Sequence, residues 1–277
     1  MSAPTSWSSL DVDAGDLRLR GHRTGGPGPA VVLAHGITDG GLCWTRLARA
    51  LEGEYDLVMY DARGHGRSDK PASGYTYPQL AADLVGLLAA LGLERPAVIG
   101  HSMGARAAAT AAAAHPTAIG CLVLEDPPWR LPGRSPDRVE RAASTDSSVR
   151  QHRAAVAGGP EKMTRAIRQQ RPHWTEEEIA QCAASTLATG EGVFSLFAEP
   201  PAQWEEEAAR IQCPALLLTG DPEQGAIVTE AVAQRFASLC PQGRSVRLAG
   251  AGHSIRRERF DEYAVAVREF LAAHLPR

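Results

Sequence analysis

Six short, nearly continuous apolar runs punctuate the chain: AVVLAHG (30–36), YDLVMYD (55–61), AVIG (97–100), CLVLED (121–126), PALLLTG (214–220) and SVRLAG (245–250). Runs this short and this apolar suit strands covered on both faces, as in a parallel sheet. Between them, helical spacing predicts helices at about 44–52, 78–91, 102–115, 229–239 and 258–274. Upstream, LDVDAGDLRLRGHR alternates apolar and polar positions about Gly15, which predicts an edge hairpin. Alternating strands and helices imply a doubly wound α/β sheet, whose ligands sit beyond the carboxyl ends of the strands.

The alternation stops between 127 and 205. That stretch reads as helices at 136–157, 160–170 and 175–188, the last opened by Thr175 and Glu178 as a capping box. Nearly 80 residues without a strand is too long for a connecting loop. The reading is a helical cap, 127–205, inserted into a core formed by 1–126 and 206–277. The expected cap carries Trp129, Trp174, Trp204, Phe194 and Phe197, which suit either an apolar pocket or packing between helices. Between 130 and 171 it also carries ten basic residues against four acidic ones. Most belong on a solvated face. An inward arginine could grip a substrate carboxylate, and Arg130 is the best placed for that.

Composition narrows the class without naming a chemistry. The 277 residues are 44% hydrophobic and 22% charged, with a formal net charge of −3. That balance argues against a general nucleic-acid binder. The opening MSAPTSWSSL is polar and lacks the apolar stretch of a signal peptide. No run approaches the length of a membrane span. Cys43, Cys121, Cys182, Cys213 and Cys240 are odd in number and scattered, without metal-ligand spacing. They read as free thiols in a reducing cytoplasm. The many Ala, Arg and Gly residues suggest a bacterial source.

The candidate chemistry centres on Gly100-His101-Ser102-Met103-Gly104, lying between a strand and a helix. In that context Gly-X-Ser-X-Gly is a nucleophile elbow. Side chains at 100 and 104 would strike the neighbouring strand and helix, so glycine leaves Ser102 exposed on a tight turn. A serine needs a base and a group to orient it. His253 follows the last strand through AGAG, at the same sheet edge. For the acid, Asp221 follows the strand at 214–220 and is the preferred candidate, with Glu223 and Asp126 as alternatives. The oxyanion hole would take the N–H groups of Met103 and Ile37. His35 is expected to anchor its loop, and His65 to be structural.

These motifs together resemble the α/β-hydrolase superfamily: HG after an early strand, YDARGHGRSDKP, GHSMG, TGDP and GAGH. The order serine, acid, histidine follows that superfamily's pattern. The resemblance implies an eight-stranded, mostly parallel sheet, a cap over the pocket, and hydrolysis without cofactor or metal. It departs from the usual spacing in the acid loop, which leaves Asp221 and Glu223 both open. A serine at 102 speaks against epoxide hydrolases and haloalkane dehalogenases, which use aspartate there. The expected activity is a serine hydrolase acting on a small-molecule ester, as a monomer or homodimer, with no nucleic-acid or membrane partner. A carbon–carbon bond hydrolase and a hydrolase-fold receptor with little turnover are the rivals.

Overall fold

The computed structural model describes residues 7–131, 137–199 and 203–275. Eight strands form one sheet: β1 (Ser8–Asp13), β2 (Arg18–Arg23), β3 (Ala30–Ala34), β4 (Asp56–Asp61), β5 (Ala97–His101), β6 (Cys121–Glu125), β7 (Ala215–Thr219) and β8 (Gly243–Arg247). Their order is β1-β2-β4-β3-β5-β6-β7-β8. β1 and β2 pair antiparallel, as the alternation about Gly15 predicts, and β2 pairs antiparallel with β4. Every pairing from β4 through β3 to β8 is parallel.

Successive side chains of the central strands enter opposite cores, which explains their continuous apolar runs. Val32, Val98, Leu122, Leu124 and Leu217 join one core, with the helices α2 (Tyr77–Ala90), α3 (Met103–Ala114) and α8 (Glu230–Leu239). Val31, Leu33, Ile99, Val123 and Leu216 join the other, under α1 (Thr45–Leu51) and α10 (Phe260–His274). The short α9 (Ile255–Glu258) precedes α10. The last strand starts two residues earlier than its apolar run. It lies at the sheet edge and is largely exposed, so burial does not mark its bounds there.

Among the described residues, the segment between β6 and β7 contains no strand. It holds α4 (Arg138–Ala157), α5 (Gly159–Gln170), α6 (Glu176–Leu187), a 3₁₀ stretch (Glu191–Ala198) and α7 (Trp204–Arg210). The expected capping box is formed: Thr175 Oγ1 accepts from Glu178 N–H at 3.2 Å, and Glu178 returns a carboxylate to Thr175 N–H at 2.9 Å. The segment docks where the strands end. Thr186 Oγ1 donates to the Thr38 carbonyl (3.4 Å), and the Gly190 N–H donates to the Gly64 carbonyl (2.7 Å). Trp129 and Trp204 stack on each other at 5.1 Å, and Trp129 lies 5.6 Å from the Phe236 ring. That pair therefore fills space between helices. Residue 206, the expected return to the core, falls inside α7, which packs against α3 and α8. No helix among the described residues is long and apolar enough to cross a membrane.

Candidate active site

Ser102 stands between β5 and α3 with φ 49° and ψ −112°. L-residues rarely adopt a positive φ, and such strain persists only where the surroundings enforce it. Three restraints do so. Ser102 N–H donates to the Glu125 carbonyl (2.8 Å), its own carbonyl accepts from Arg106 N–H (3.1 Å), and Gly104 N–H donates to the His35 carbonyl (3.1 Å). The two flanking glycines are a steric requirement. A Cβ at Gly104 would stand 2.2 Å from the Ala34 carbonyl oxygen, and one at Gly100 would stand 2.6 Å from the Ala105 backbone. The first clash is with strand β3 and the second with helix α3, the two neighbours expected from the motif.

His253 lies in the loop between β8 and α9. Its carbonyl accepts from His101 Nε2 at 2.9 Å, and the two imidazoles are 4.7 Å apart. The base candidate therefore rests beside the residue that precedes Ser102.

The carboxylate that meets His253 is not the preferred Asp221 but the alternative, Asp126. His253 Nδ1 bonds Asp126 Oδ2 at 2.6 Å. The Asp126 carboxylate is fully buried and also accepts from Ile227 N–H (2.8 Å) and Val228 N–H (2.8 Å). Asp221 instead pairs with Arg247 at 2.7 Å and accepts from Gly250 N–H at 2.8 Å, which ties down the loop leading to His253. Those two partners hold its carboxyl below the usual carboxylate range, the Gly250 N–H first and Arg247 second. Glu223 is exposed in a 3₁₀ turn, Pro222–Gln224. The reason lies in the sheet order. β6 is the direct neighbour of β5, with His101 opposite Glu125, so the next residues, Ser102 and Asp126, leave the sheet side by side. The loop after β7 contributes backbone donors to Asp126 rather than a carboxylate to His253. Both Asp126 and Asp221 precede proline at a strand end, so the local signal is the same for each. Asp126 also has a positive φ, 43°, which a sequence does not display.

Met103 is the first residue of α3, where helical N–H groups lack intrahelical partners. At Ile37 the peptide is fixed from both sides. The Gly36 carbonyl accepts from His35 Nδ1 (2.7 Å) and Asp39 N–H (3.1 Å). Because the peptide is trans, the Ile37 N–H points the opposite way from that carbonyl. His65 lies between two carbonyls, Nε2 at 2.7 Å from that of Ile37 and Nδ1 at 2.8 Å from that of Arg63. Burial pushes the His65 imidazole down to about 4. His35 Nε2 accepts from Ala62 N–H (3.0 Å), so His35 anchors its loop as expected. Arg130 is exposed, and its carbonyl accepts from the Trp204 indole at 2.9 Å. Cys43, Cys121, Cys213 and Cys240 are buried and Cys182 partly so, with no disulfide among the five.

The α/β hydrolase fold family matches residues 29–256. The chain belongs to this family and is an α/β-fold hydrolase. It is 30% identical to an N-formylmaleamate deformylase of Pseudomonas putida, over 94% of this chain and 95% of the relative. It is 28% identical to esterase YbfF of Escherichia coli, over 87% and 92% of the two chains. Among solved structures, an enol-lactonase of Burkholderia xenovorans superimposes with a TM-score of 0.74 at 26% identity, covering 94% of this chain and 99% of that one.

Proposed function

We propose that this chain hydrolyses a small-molecule carboxylic ester through an acyl-enzyme on Ser102. The observation that carries the reading is the 2.6 Å bond from His253 to a buried Asp126, set beside a serine held at positive φ. Ser102 Oγ attacks the carbonyl carbon while His253 Nε2 takes its proton. Asp126 fixes the tautomer with Nδ1 protonated and stabilises the imidazolium. The N–H groups of Ile37 and Met103 receive the oxyanion. The imidazolium then protonates the departing alcohol, water enters, and His253 deprotonates it to release the acid and restore Ser102. The helices between β6 and β7 act as a cap over this site. Supporting that role, Val149, Val193 and Phe194 of the segment share one apolar cluster with Ile37 and Met103. Five unpaired cysteines support a reducing cytoplasm as its compartment.

A second reading is hydrolysis of an N-acyl amide, favoured by the near full-length match to a deformylase. The same residues serve, with a greater demand on His253 as acid because an amide leaves poorly unprotonated. The test is turnover of the purified chain on activated esters, lactones and N-formyl and N-acetyl amides, beside Ser102→Ala. Multiple turnovers that vanish in the variant are expected. A single stoichiometric release would indicate a receptor, and undiminished activity in the variant would refute the serine mechanism.

A further inference from the structure

Four charged side chains lie buried behind the site, each close in sequence to one of its residues. Glu125 precedes Asp126, Asp39 follows Ile37 by two positions, and Arg256 and Arg257 follow His253 by three and four. None is more than 5% exposed. Arg256 joins three loops at once. Its Nη2 donates to Asp39 Oδ2 (2.9 Å), its Nη1 lies 3.3 Å from Glu125 Oε2, and its backbone N–H donates to Glu125 Oε1 (3.0 Å). Arg257 Nη2 donates to the other Asp39 oxygen at 2.7 Å, and its guanidinium lies 4.3 Å over the Trp174 ring of the inserted helices. Burial alone would raise the Asp39 carboxyl, yet Arg257 and Arg256 together hold it well below the usual carboxylate range.

Two carboxylates face two guanidiniums, with burial pushing the Glu125 carboxyl up against the pull of Arg256. Such buried sets add little net stability over apolar packing, because desolvation offsets their attraction. We propose that this quartet is a positioning device for the general base, joining the loops of Ile37, Asp126 and His253 and setting the proton affinity of His253 through its charge balance. The inference rests on the proposed function for the role of His253.

The other groups around His253 and the quartet are each held by a partner or by burial. Asp126 holds Nδ1, and His101 is kept neutral by burial and then by Arg256. Cys43 is pushed up to about 12 by burial and Asp39, and burial and Glu125 hold the Tyr263 hydroxyl well above its usual range. On the base loop itself, Glu258 accepts from Gly252 N–H and lies 3.8 Å from Arg171, while Asp221 pairs with Arg247. Neutralising Asp39 or Arg256 therefore changes the charge near the imidazole by one, with a known sign.

The experiment compares Asp39→Asn, Arg256→Met and their combination. His253 is titrated by imidazole NMR in a Ser102→Ala background, and the acid limb of kcat/KM is measured in the active chains. Removing the carboxylate leaves positive charge, which should lower both midpoints by about one pH unit, for a charge roughly 10 Å away at an effective dielectric of roughly 20. Removing the arginine should raise both by a similar amount, and the double variant should return near the parent value. In each single variant kcat should fall while KM stays within about threefold. Shifts of the same sign in both, or none, would overturn the proposal. Should a single variant fail to fold, Arg257→Met supplies a second arm by removing the other guanidinium on Asp39, and a downward or absent shift there would count equally against it. The imidazole titration does not depend on turnover. A parent chain without Ser102-dependent activity would thus refute the proposed function separately from the quartet.

Discussion

His253 takes its orientation from Asp126, 127 residues earlier in the chain, through a 2.6 Å bond between Nδ1 and Oδ2. The two meet because β6 adjoins β5 in the sheet, and because the Ile227 and Val228 N–H groups fix the carboxylate in place. The Asp126 carboxylate is thus held by the loop after β7, the loop that carries Asp221 and Glu223.

This arrangement ranks three substitutions. Asp126→Asn should lower kcat by roughly 10⁴-fold, since an amide in that place favours the wrong imidazole tautomer. Asp221→Asn should cost far less, because it loosens the loop before His253 without touching the ring. Glu223→Gln should be neutral. Steady-state rates on one activated ester decide the order, and a larger loss at Asp221 would return the acid to that position.

For the nucleophile, Ser102→Ala should lower kcat on the order of a million-fold with the melting temperature little changed. A phosphonate ester should add one mass equivalent to the parent chain, on the peptide containing Ser102, and none to the variant. Adduct formation on a cysteine peptide would instead indicate thiol chemistry.

Much of this was legible in the chain because burial and chemistry coincide there. The apolar runs of β3 to β7 are strands covered on both faces, and Gly100 and Gly104 report the clash that a turn at Ser102 would otherwise create. His253 was marked by its place after the final strand. The carboxylate that meets His253 was not separable, since Asp126-Pro127 and Asp221-Pro222 are alike locally and only strand order tells them apart. Nor was the quartet legible. Asp39, Glu125, Arg256 and Arg257 look like ordinary surface charges, and only the packing of α9 against the ends of β6 and the loop after β3 buries them together. α7 escaped notice because seven residues, WEEEAAR, show little period of their own.

Close approach at the elbow gives a stability prediction. Gly104→Ala puts a methyl 2.2 Å from the Ala34 carbonyl oxygen, a backbone atom that cannot swing aside. Overpacking of this kind costs about 1–3 kcal/mol, which lowers the melting temperature by roughly 2–4 °C for each kcal/mol in a domain near this size. Activity should fall further, because the helix start that presents Met103 N–H must shift. Gly53→Ala, which meets nothing within 4 Å, is the control and should melt with the parent. Equal melting of both variants would show that the elbow has room to spare.

The last prediction concerns acid stability, and its sign follows from three buried imidazoles. Burial lowers the proton affinity of His35, His65 and His101, the second to about 4. In the unfolded chain each returns to roughly 6.5. Between those values the unfolded chain binds protons that the folded one does not, so stability is complete above about 6.5 and declines as pH falls toward 4. His65 alone contributes about 1.4 kcal/mol per pH unit across that window. Asp39, whose affinity is also depressed, adds a second loss that begins only below the ordinary carboxylate range of about 4. Urea denaturation at pH 7.5, 6.5, 5.5 and 4.5 should therefore show a plateau between the first two and a steep fall after it. A midpoint that stays level to pH 4.5 would mean these histidines take up protons while folded, and would contradict the bond in which His35 Nε2 accepts from Ala62 N–H.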